Sequence, residues 1–150
     1  MEIRHFTVDD FFGHQGLSAL LAEYAAESSI AGMPSPKPNV DIYRRLEASG
    51  AALCLGAVEG DELVGFLTLL VSLNPHYSAV IGVAESLFVA GAHRKSGAGL
   101  RLLREAEAVS KACGAVGFLV SAPYGGRLAE VLEASRSYRE TNRIFFKALA

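Results

Sequence analysis

One segment near the middle of the chain constrains the fold most. An extended run over residues 84–89 is followed by a short basic turn and a loop that read Arg-Lys-Ser-Gly-Ala-Gly over residues 94–99. Glycine lets the backbone approach a ligand closely, and the unpaired N–H groups at the start of a helix favour an anion. The segment therefore predicts a strand, an anion-binding turn and a helix, with a pyrophosphate as the natural ligand.

Two common phosphate-binding loops do not match this segment. A P-loop requires a lysine and a hydroxyl residue behind its second glycine, whereas Gly97 is followed by Ala98. A dinucleotide-binding fingerprint requires a third glycine where this chain has Leu102. The remaining pattern, R-x-x-G-x-G, is by itself also typical of a glycine-lined helix start with solvated basic residues.

The wider sequence of residues 85–103 resembles the acetyl-CoA signature of the GNAT superfamily of N-acyltransferases. In that signature a strand ending in an apolar-x-Val step leads to [R/Q]-x-x-G-x-[G/A] and a leucine-rich helix. The order of elements agrees over nearly the whole chain. The resemblance implies an α/β (α+β) fold with a single mixed, mostly antiparallel twisted sheet flanked by helices, and an acetyl-CoA-dependent N-acetyltransferase activity.

Length and composition agree with one such domain over residues 1–150. About half of the residues are hydrophobic (51%), a fifth are charged (20%) and the formal net charge is -2, which argues against nucleic acid as the main partner. No apolar run reaches about 18 residues, so no membrane span is expected, and the first residues lack the pattern of a signal peptide. Cys54 and Cys113 are predicted to be buried free thiols in a reducing, cytoplasmic compartment. The four histidines show no metal-ligand spacing, so no metal is predicted.

The apolar periodicity and the turn residues predict the following elements. Strands are expected over residues 2–6, 51–59, 62–73, 78–89 and 116–121, the last one parallel to its neighbour, with one or two terminal strands over residues 138–148. Helices are expected over residues 10–27, 40–49, 97–113 and 125–134.

Several site residues follow from the resemblance alone. It implies that the pantetheine of the donor pairs with the strand before the loop, at Leu87, Phe88 and Val89, and that a backbone N–H near the end of that strand meets the reacting carbonyl oxygen. It also implies that the pyrophosphate lies on the loop and the first residues of the following helix, namely Arg94, Lys95, Ser96, Gly97, Ala98, Gly99 and Leu100.

Glu85 is the predicted catalytic base. Strict alternation along the strand places it on the face of Ile81, Val83, Leu87 and Val89, where a carboxylate is partly desolvated and suited to accept a proton. The family often has a glutamate at this position, which contacts the amine directly or through water. The alternative interpretation is a structural carboxylate at a strand bulge, hydrogen-bonded to the backbone.

The general acid and the acceptor site are less well defined. Many relatives carry a tyrosine in the last helix, but this chain has Glu133 there, and Tyr138 stands at the packing aromatic that follows. Tyr124, another group or water must then protonate the leaving thiolate, or the thiolate leaves unassisted. His76 and Tyr77 are predicted to contact the amine substrate from the loop before the strand of Glu85, and the proline-containing loop of residues 30–39 is predicted to form another wall of the acceptor pocket.

Three functions remain open from the sequence. The leading hypothesis is acetyl transfer from acetyl-CoA to a primary amine of a small molecule or a protein. A GNAT-fold module that binds CoA without turnover is the second, and a nucleotide-binding protein that uses the same loop is the third. A homodimer formed through an exposed strand edge is also possible.

Overall fold

The helices and strands follow the predicted order closely. The structure, a computed structural model, describes residues 1–149. In that range there are five strands: β1 (Glu2–Phe6), β2 (Ala52–Glu59), β3 (Glu62–Asn74), β4 (Ala79–Val89) and β5 (Gly117–Val120). The same range holds five α-helices: α1 (Val8–Phe12), α2 (Leu17–Glu27), α3 (Val40–Ala48), α4 (Ala98–Ala112) and α5 (Arg127–Ala134).

The strands form one sheet in the order β1-β2-β3-β4-β5. The first four strands are antiparallel neighbours, and β5 is parallel to β4 because α4 provides the crossover between them. The predicted mixed, mostly antiparallel sheet flanked by helices is therefore confirmed. None of the helices in residues 1–149 is long and apolar enough to cross a membrane.

Each face of the sheet carries its own hydrophobic cluster. The cluster on one face is built around α4 and includes Leu55, Leu67, Leu69, Leu102 and Ala106. The cluster on the other face is built around α1 and α2 and includes Val8, Phe11, Leu17, Phe66 and Phe88. Both faces of β3 are covered, which explains why its sequence reads as a nearly continuous apolar run.

A β-bulge in β4 determines where Glu85 points. Thr68 of β3 pairs with Ser86 and Leu69 pairs with Ala84, so Glu85 is the extra residue with no partner on β3. Ala84 lies in the cluster around α4, and Leu87 and Val89 pack against that same cluster. The predicted strict alternation was therefore wrong: the extra residue turns Glu85 to the face opposite Leu87 and Val89.

The predicted helix over residues 10–27 is two helices. Thr7 begins α1, and its side-chain oxygen accepts a hydrogen bond from the N–H of Asp10 at 3.1 Å. Gly13 ends α1, and the ring of His14 accepts from the N–H of Gly16 at 3.1 Å before α2 begins. Two glycines within four residues end the first helix and place α1 and α2 as separate elements on the sheet.

The predicted terminal strands were also wrong, since residues 135–149 contain no strand. This segment has no hydrogen-bonded neighbour in the sheet and is held through side chains instead. The hydroxyl of Tyr138 donates to the carboxylate of Glu107 on α4, which agrees with a packing role for Tyr138. The ring of Phe146 and the methyl group of Ala148 lie beside Gly32.

Candidate active site

The loop before α4 presents unpaired backbone N–H groups. Gly97 has φ +82° and forms the N-cap of α4, a helix of 15 residues with no acidic residue in its first turn. Within residues 1–149, the N–H groups of Lys95, Gly97, Gly99 and Leu100 donate to no acceptor. Because the positive end of the helix dipole lies at the same place, this loop is suited to bind an anion.

The space in front of these N–H groups is open. A Cβ atom added to Gly97 would have no heavy atom within 4 Å, and one added to Gly99 would meet only Cγ2 of Val89 at 3.7 Å. Neither glycine is therefore required by packing inside the protein. The left-handed φ of Gly97 does require glycine, because an L-residue is strained in that conformation.

Most side chains of the loop are directed away from the open space. Arg94 donates from Nη2 to both carboxylate oxygens of Glu27 at 2.6 Å and from Nε to the carbonyl oxygen of Val89 at 3.1 Å. Its guanidinium lies 5.4 Å from the ring centroid of Phe88. Ser96 donates to the carbonyl oxygen of His93 at 2.6 Å. Lys95 is exposed and makes no ion pair within the described chain, so it is the cation most free to meet a phosphate.

One edge of β4 is partly unpaired. β5 pairs with β4 only from Ile81 to Ala84. Residues 86–89 pair with β3 on one side, and on the other side of residues 85–89 no strand of residues 1–149 is present. This free edge includes Leu87, Phe88 and Val89 and leads directly to the loop before α4. An extended ligand that carries amide groups can pair with such an edge as an added strand would.

Glu85 lies at the start of the unpaired edge, on the side of α1 and α3. The hydroxyl of Tyr43 on α3 donates to its Oε2 at 2.9 Å, and the hydroxyl of Thr68 on β3 donates to the same oxygen. Ser86 is hydrogen-bonded to Thr68 in turn. Within residues 1–149 the other oxygen, Oε1, accepts no hydrogen bond. The carboxylate is therefore held through one oxygen and presents the other to a ligand.

The predicted desolvation of Glu85 was wrong. The side chain is exposed, because the bulge turns it into an open cavity instead of a packed face. Its neighbours are more enclosed. Burial, followed by the charge of Glu85, raises the pKa of Tyr43, so this hydroxyl stays protonated and remains a donor through the neutral range. Burial, followed by the charges of Glu47 and Glu85, raises the pKa of Cys54 to about 12.

The cavity in front of Glu85 has a volume of about 370 Å³. Five aromatic residues line it, together with aliphatic side chains, two prolines and a small number of polar groups. The aromatic residues are Phe11, Phe12, Tyr24, Tyr43 and Phe66, and the polar residues are Lys37, Asn39, Thr68, Glu85 and Ser86. An apolar cavity with a few convergent polar groups is typical of a small-molecule site.

A second cavity, of about 450 Å³, lies beside the β2–β3 turn and is lined by Glu59, Asp61 and Glu62. Three carboxylates disfavour the phosphates of a coenzyme, and the unpaired N–H groups lie elsewhere. The free edge of β4 and Glu85 meet at the other cavity, of about 370 Å³.

Both predicted substrate-binding residues lie far from the cavity in front of Glu85. His76 and Tyr77 form the β3–β4 turn, where their N–H groups donate to Oδ1 of Asn74. The turn precedes Glu85 by six residues of β4, or about 20 Å at roughly 3.3 Å per residue, and neither side chain lines the cavity. Tyr124, the substitute acid that the sequence left open, is fully exposed at 106% and does not line the cavity either.

Tyr43, Thr68 and Ser86 were missed by the sequence analysis, although they surround the carboxylate. Thr68 could have been identified from the sequence, because it is the one polar residue in the apolar run of residues 63–71. A buried hydroxyl on a strand needs a hydrogen-bond partner, and here that partner is Glu85. Tyr43 gave no signal, since it reaches the site from a helix 42 residues earlier in the chain.

The chain belongs to the acetyltransferase (GNAT) family, whose sequence model matches residues 17–125. It is accordingly an acyltransferase, and the family generally uses acetyl-CoA. No curated protein matches the chain by sequence.

Solved structures of acetyltransferases share the fold. An aminoglycoside acetyltransferase from an uncultured soil metagenomic sample, in complex with sisomicin, has a TM-score of 0.75 at 16% identity, covering 99% of this chain and 96% of that chain. A ribosomal-protein-alanine N-acetyltransferase from Brucella melitensis biovar Abortus 2308 has a TM-score of 0.64 at 21% identity, covering 97% of this chain and 100% of that chain. At these identities the likeness establishes the fold alone.

Proposed function

We propose that residues 1–150 form one domain that transfers an acetyl group from acetyl-CoA directly to a primary amine of a small molecule or a protein, in a ternary complex. The observation that carries the proposal is the position of Glu85. Its carboxylate stands where the unpaired edge of β4 meets the aromatic cavity, so one group faces both the donor side and the acceptor side.

The residues of the donor side suit acetyl-CoA. Four unpaired N–H groups and the open space at Gly97 and Gly99 form a cradle for a pyrophosphate. The free edge over residues 85–89 offers backbone groups to the amides of an extended pantetheine chain. When bound, acetyl-CoA supplies the acetyl group as an activated thioester.

The residues of the acceptor side then act on the amine. Oε1 of Glu85 accepts a proton from the amine, directly or through one water, while Tyr43 and Thr68 hold Oε2 and so fix the carboxylate. A backbone N–H near the end of β4 stabilises the negative charge that develops on the carbonyl oxygen as the amine nitrogen bonds to the acetyl carbon. The carbon–sulfur bond then breaks, and CoA leaves as the thiolate, which takes a proton from water. Tyr43 positions the carboxylate in this step, since its hydroxyl donates to Oε2 of Glu85.

The direct test is to incubate the protein with acetyl-CoA and a panel of primary amines while following free thiol. We expect amine-dependent thiol release by the wild-type chain and by Glu140→Gln, a control in which an exposed glutamate of the C-terminal segment is changed. Binding of CoA without thiol release for any amine would instead support the CoA-binding module without turnover.

A further inference from the structure

The cavity beside Glu85 carries very little charge. Among the residues that line it, Glu85 is the one anion and Lys37 is the one cation within the described chain. A substrate with one ammonium group can pair with Oε1 of Glu85. Each additional ammonium group would enter a cavity that has no second carboxylate, and Lys37 would repel it.

The aromatic wall is built from interlocking rings. Ring centroids are 5.1 Å apart for Phe11 and Phe12, 5.2 Å for Phe12 and Tyr43, and 5.7 Å for Phe11 and Phe66. Offset and edge-to-face contacts of this kind hold the rings in place. A preformed apolar wall favours a ligand whose body is itself apolar and flat, because binding then orders few side chains.

The volume of the cavity favours a small ligand. At about 370 Å³ the cavity is near the lower end of the range of roughly 300–1,000 Å³ for small-molecule sites. Asn39, Pro36 and Pro38 close one side, and the prolines restrict the backbone of that wall. A single ring with a short amine chain fits this space better than a molecule of several rings.

We propose that the acceptor is a small monoamine with an apolar, aromatic body, and that the cavity selects against polycations. The proposal rests on the proposed function, since it names the substrate class of the same site. It separates this chain from the sisomicin-bound structure that shares its fold, because sisomicin is a polycation of several rings.

The test is calorimetric titration of the CoA-bound protein with four probes. They are 2-phenylethylamine, hexylamine, its near-isostere 1,5-diaminopentane, and sisomicin. We expect 2-phenylethylamine to bind at least tenfold more tightly than sisomicin, and hexylamine at least tenfold more tightly than the diamine. Equal affinities, the reverse order, or no binding of the two monoamines would overturn the substrate class.

Two substitutions show whether the named groups cause this preference. Phe12→Leu keeps an apolar side chain but removes a ring. It should therefore weaken the binding of 2-phenylethylamine about tenfold and change the binding of hexylamine little. The matched control is Phe145→Leu, at a side chain that is 87% exposed in the C-terminal segment, and it should change neither affinity.

Lys37→Gln, at an exposed position, should raise the affinity for 1,5-diaminopentane several-fold. Unchanged probe affinities in both cavity variants would contradict the assignment.

Thiol release with the same probes separates the two proposals. Binding in the expected order without thiol release would overturn acetyl transfer and leave the cavity assignment in place. Thiol release with sisomicin or the diamine in preference to the monoamines would overturn the substrate class and leave acetyl transfer in place.

Discussion

The proposed donor side and the proposed acceptor side of this protein offer different groups to their ligands. The donor side presents backbone groups, namely the unpaired edge of β4 and the N–H groups before α4. The acceptor side presents side chains, with a carboxylate and a ring of aromatic residues around a cavity. Backbone recognition needs only a local conformation, whereas side-chain recognition needs several distant segments to meet. The two sides should therefore respond differently to mutation.

The largest effect is expected at Glu85, where the two sides meet. Glu85→Gln keeps the shape of the side chain and removes its basicity. A general base typically accelerates a reaction about 10²–10⁴-fold. We expect kcat to fall within that range while the Kd for CoA stays near the wild-type value. Part of the lost rate should return at high pH, because more of the amine is already neutral. Full activity of the variant at every pH would show that Glu85 has a structural role.

The next largest effect is expected in the donor loop, at Gly99. A side chain at this position has open space and a helical backbone, so Gly99→Leu should fold normally. The leucine side chain would occupy the space through which a phosphate approaches the N–H groups. Loss of one hydrogen bond to a charged group costs roughly 1.5–3 kcal/mol, which raises the Kd for CoA about 10–100-fold. Isothermal titration measures this change, and an unchanged Kd in the folded variant would refute the placement of the pyrophosphate.

The glycines at the two ends of α4 provide a matched control for backbone strain. Gly97 and Gly114 have φ +82° and +84°, and an added Cβ meets nothing within 4 Å at either one. Gly97→Ala and Gly114→Ala should therefore lower the Tm by similar amounts, at a cost of about 1–2 kcal/mol each. Only Gly97→Ala should also weaken CoA binding. Equal CoA affinities in the two variants would mean that Gly97 serves the loop conformation alone.

A smaller effect is expected for Arg94. Its guanidinium is already paired with Glu27 and is 36% exposed, so solvent screening reduces what a phosphate contact can add. We expect Arg94→Ala to raise the KM for acetyl-CoA about threefold to tenfold with little change in kcat, because the phosphate is remote from the reacting carbon. Glu27→Gln frees the guanidinium and should leave KM unchanged or lower it. If both variants raise KM equally, the ion pair acts by holding the loop.

The smallest effect is expected at Cys54, behind the acceptor cavity. Its raised pKa, about 12, means that the folded state binds the thiol proton more tightly than the unfolded chain does. This contribution to stability is complete below the ordinary thiol pKa of about 9 and is lost as pH rises toward about 12. Cys113 is exposed at the end of α4, so the predicted burial was wrong for this cysteine. In the native state at pH 8 a thiol reagent should label Cys113 alone, and in urea it should label both cysteines. Rapid labelling of two thiols without denaturant would contradict this burial.

The contrast between the two sides also explains what could be predicted from the sequence. The loop before α4 was predicted to bind an anion because its glycines, basic residues and helix start are adjacent in the chain. The strands were predicted because their apolar patterns are local. Of the proposed acceptor cavity, the wall of residues 36–39 was predicted from its prolines, but the aromatic wall was not, because Phe12, Tyr43 and Phe66 come from three separate elements. The prediction of the sheet face on which Glu85 lies was wrong for a related reason. A bulge depends on the register between β3 and β4 and not on β4 alone.

The terminal segment shows the same limit. Ile144 and Phe145 have strand-like side chains, but a strand also needs an edge to pair with, and residues 135–149 have none in the described structure. The apolar periodicity correctly predicted helix over residues 10–27, but the glycines at residues 13 and 16 divide it into α1 and α2. A missing tertiary partner therefore decided the outcome in the terminal segment, and local glycines decided it in α1 and α2.

A crystal structure of the protein with CoA is the most direct test of the division between donor and acceptor sides. We predict that the pyrophosphate lies on the N–H groups of Lys95, Gly97, Gly99 and Leu100, and that the pantetheine runs along residues 85–89 with its sulfur beside the cavity of Glu85. CoA bound at any other surface, or with its sulfur directed away from Glu85, would contradict the account.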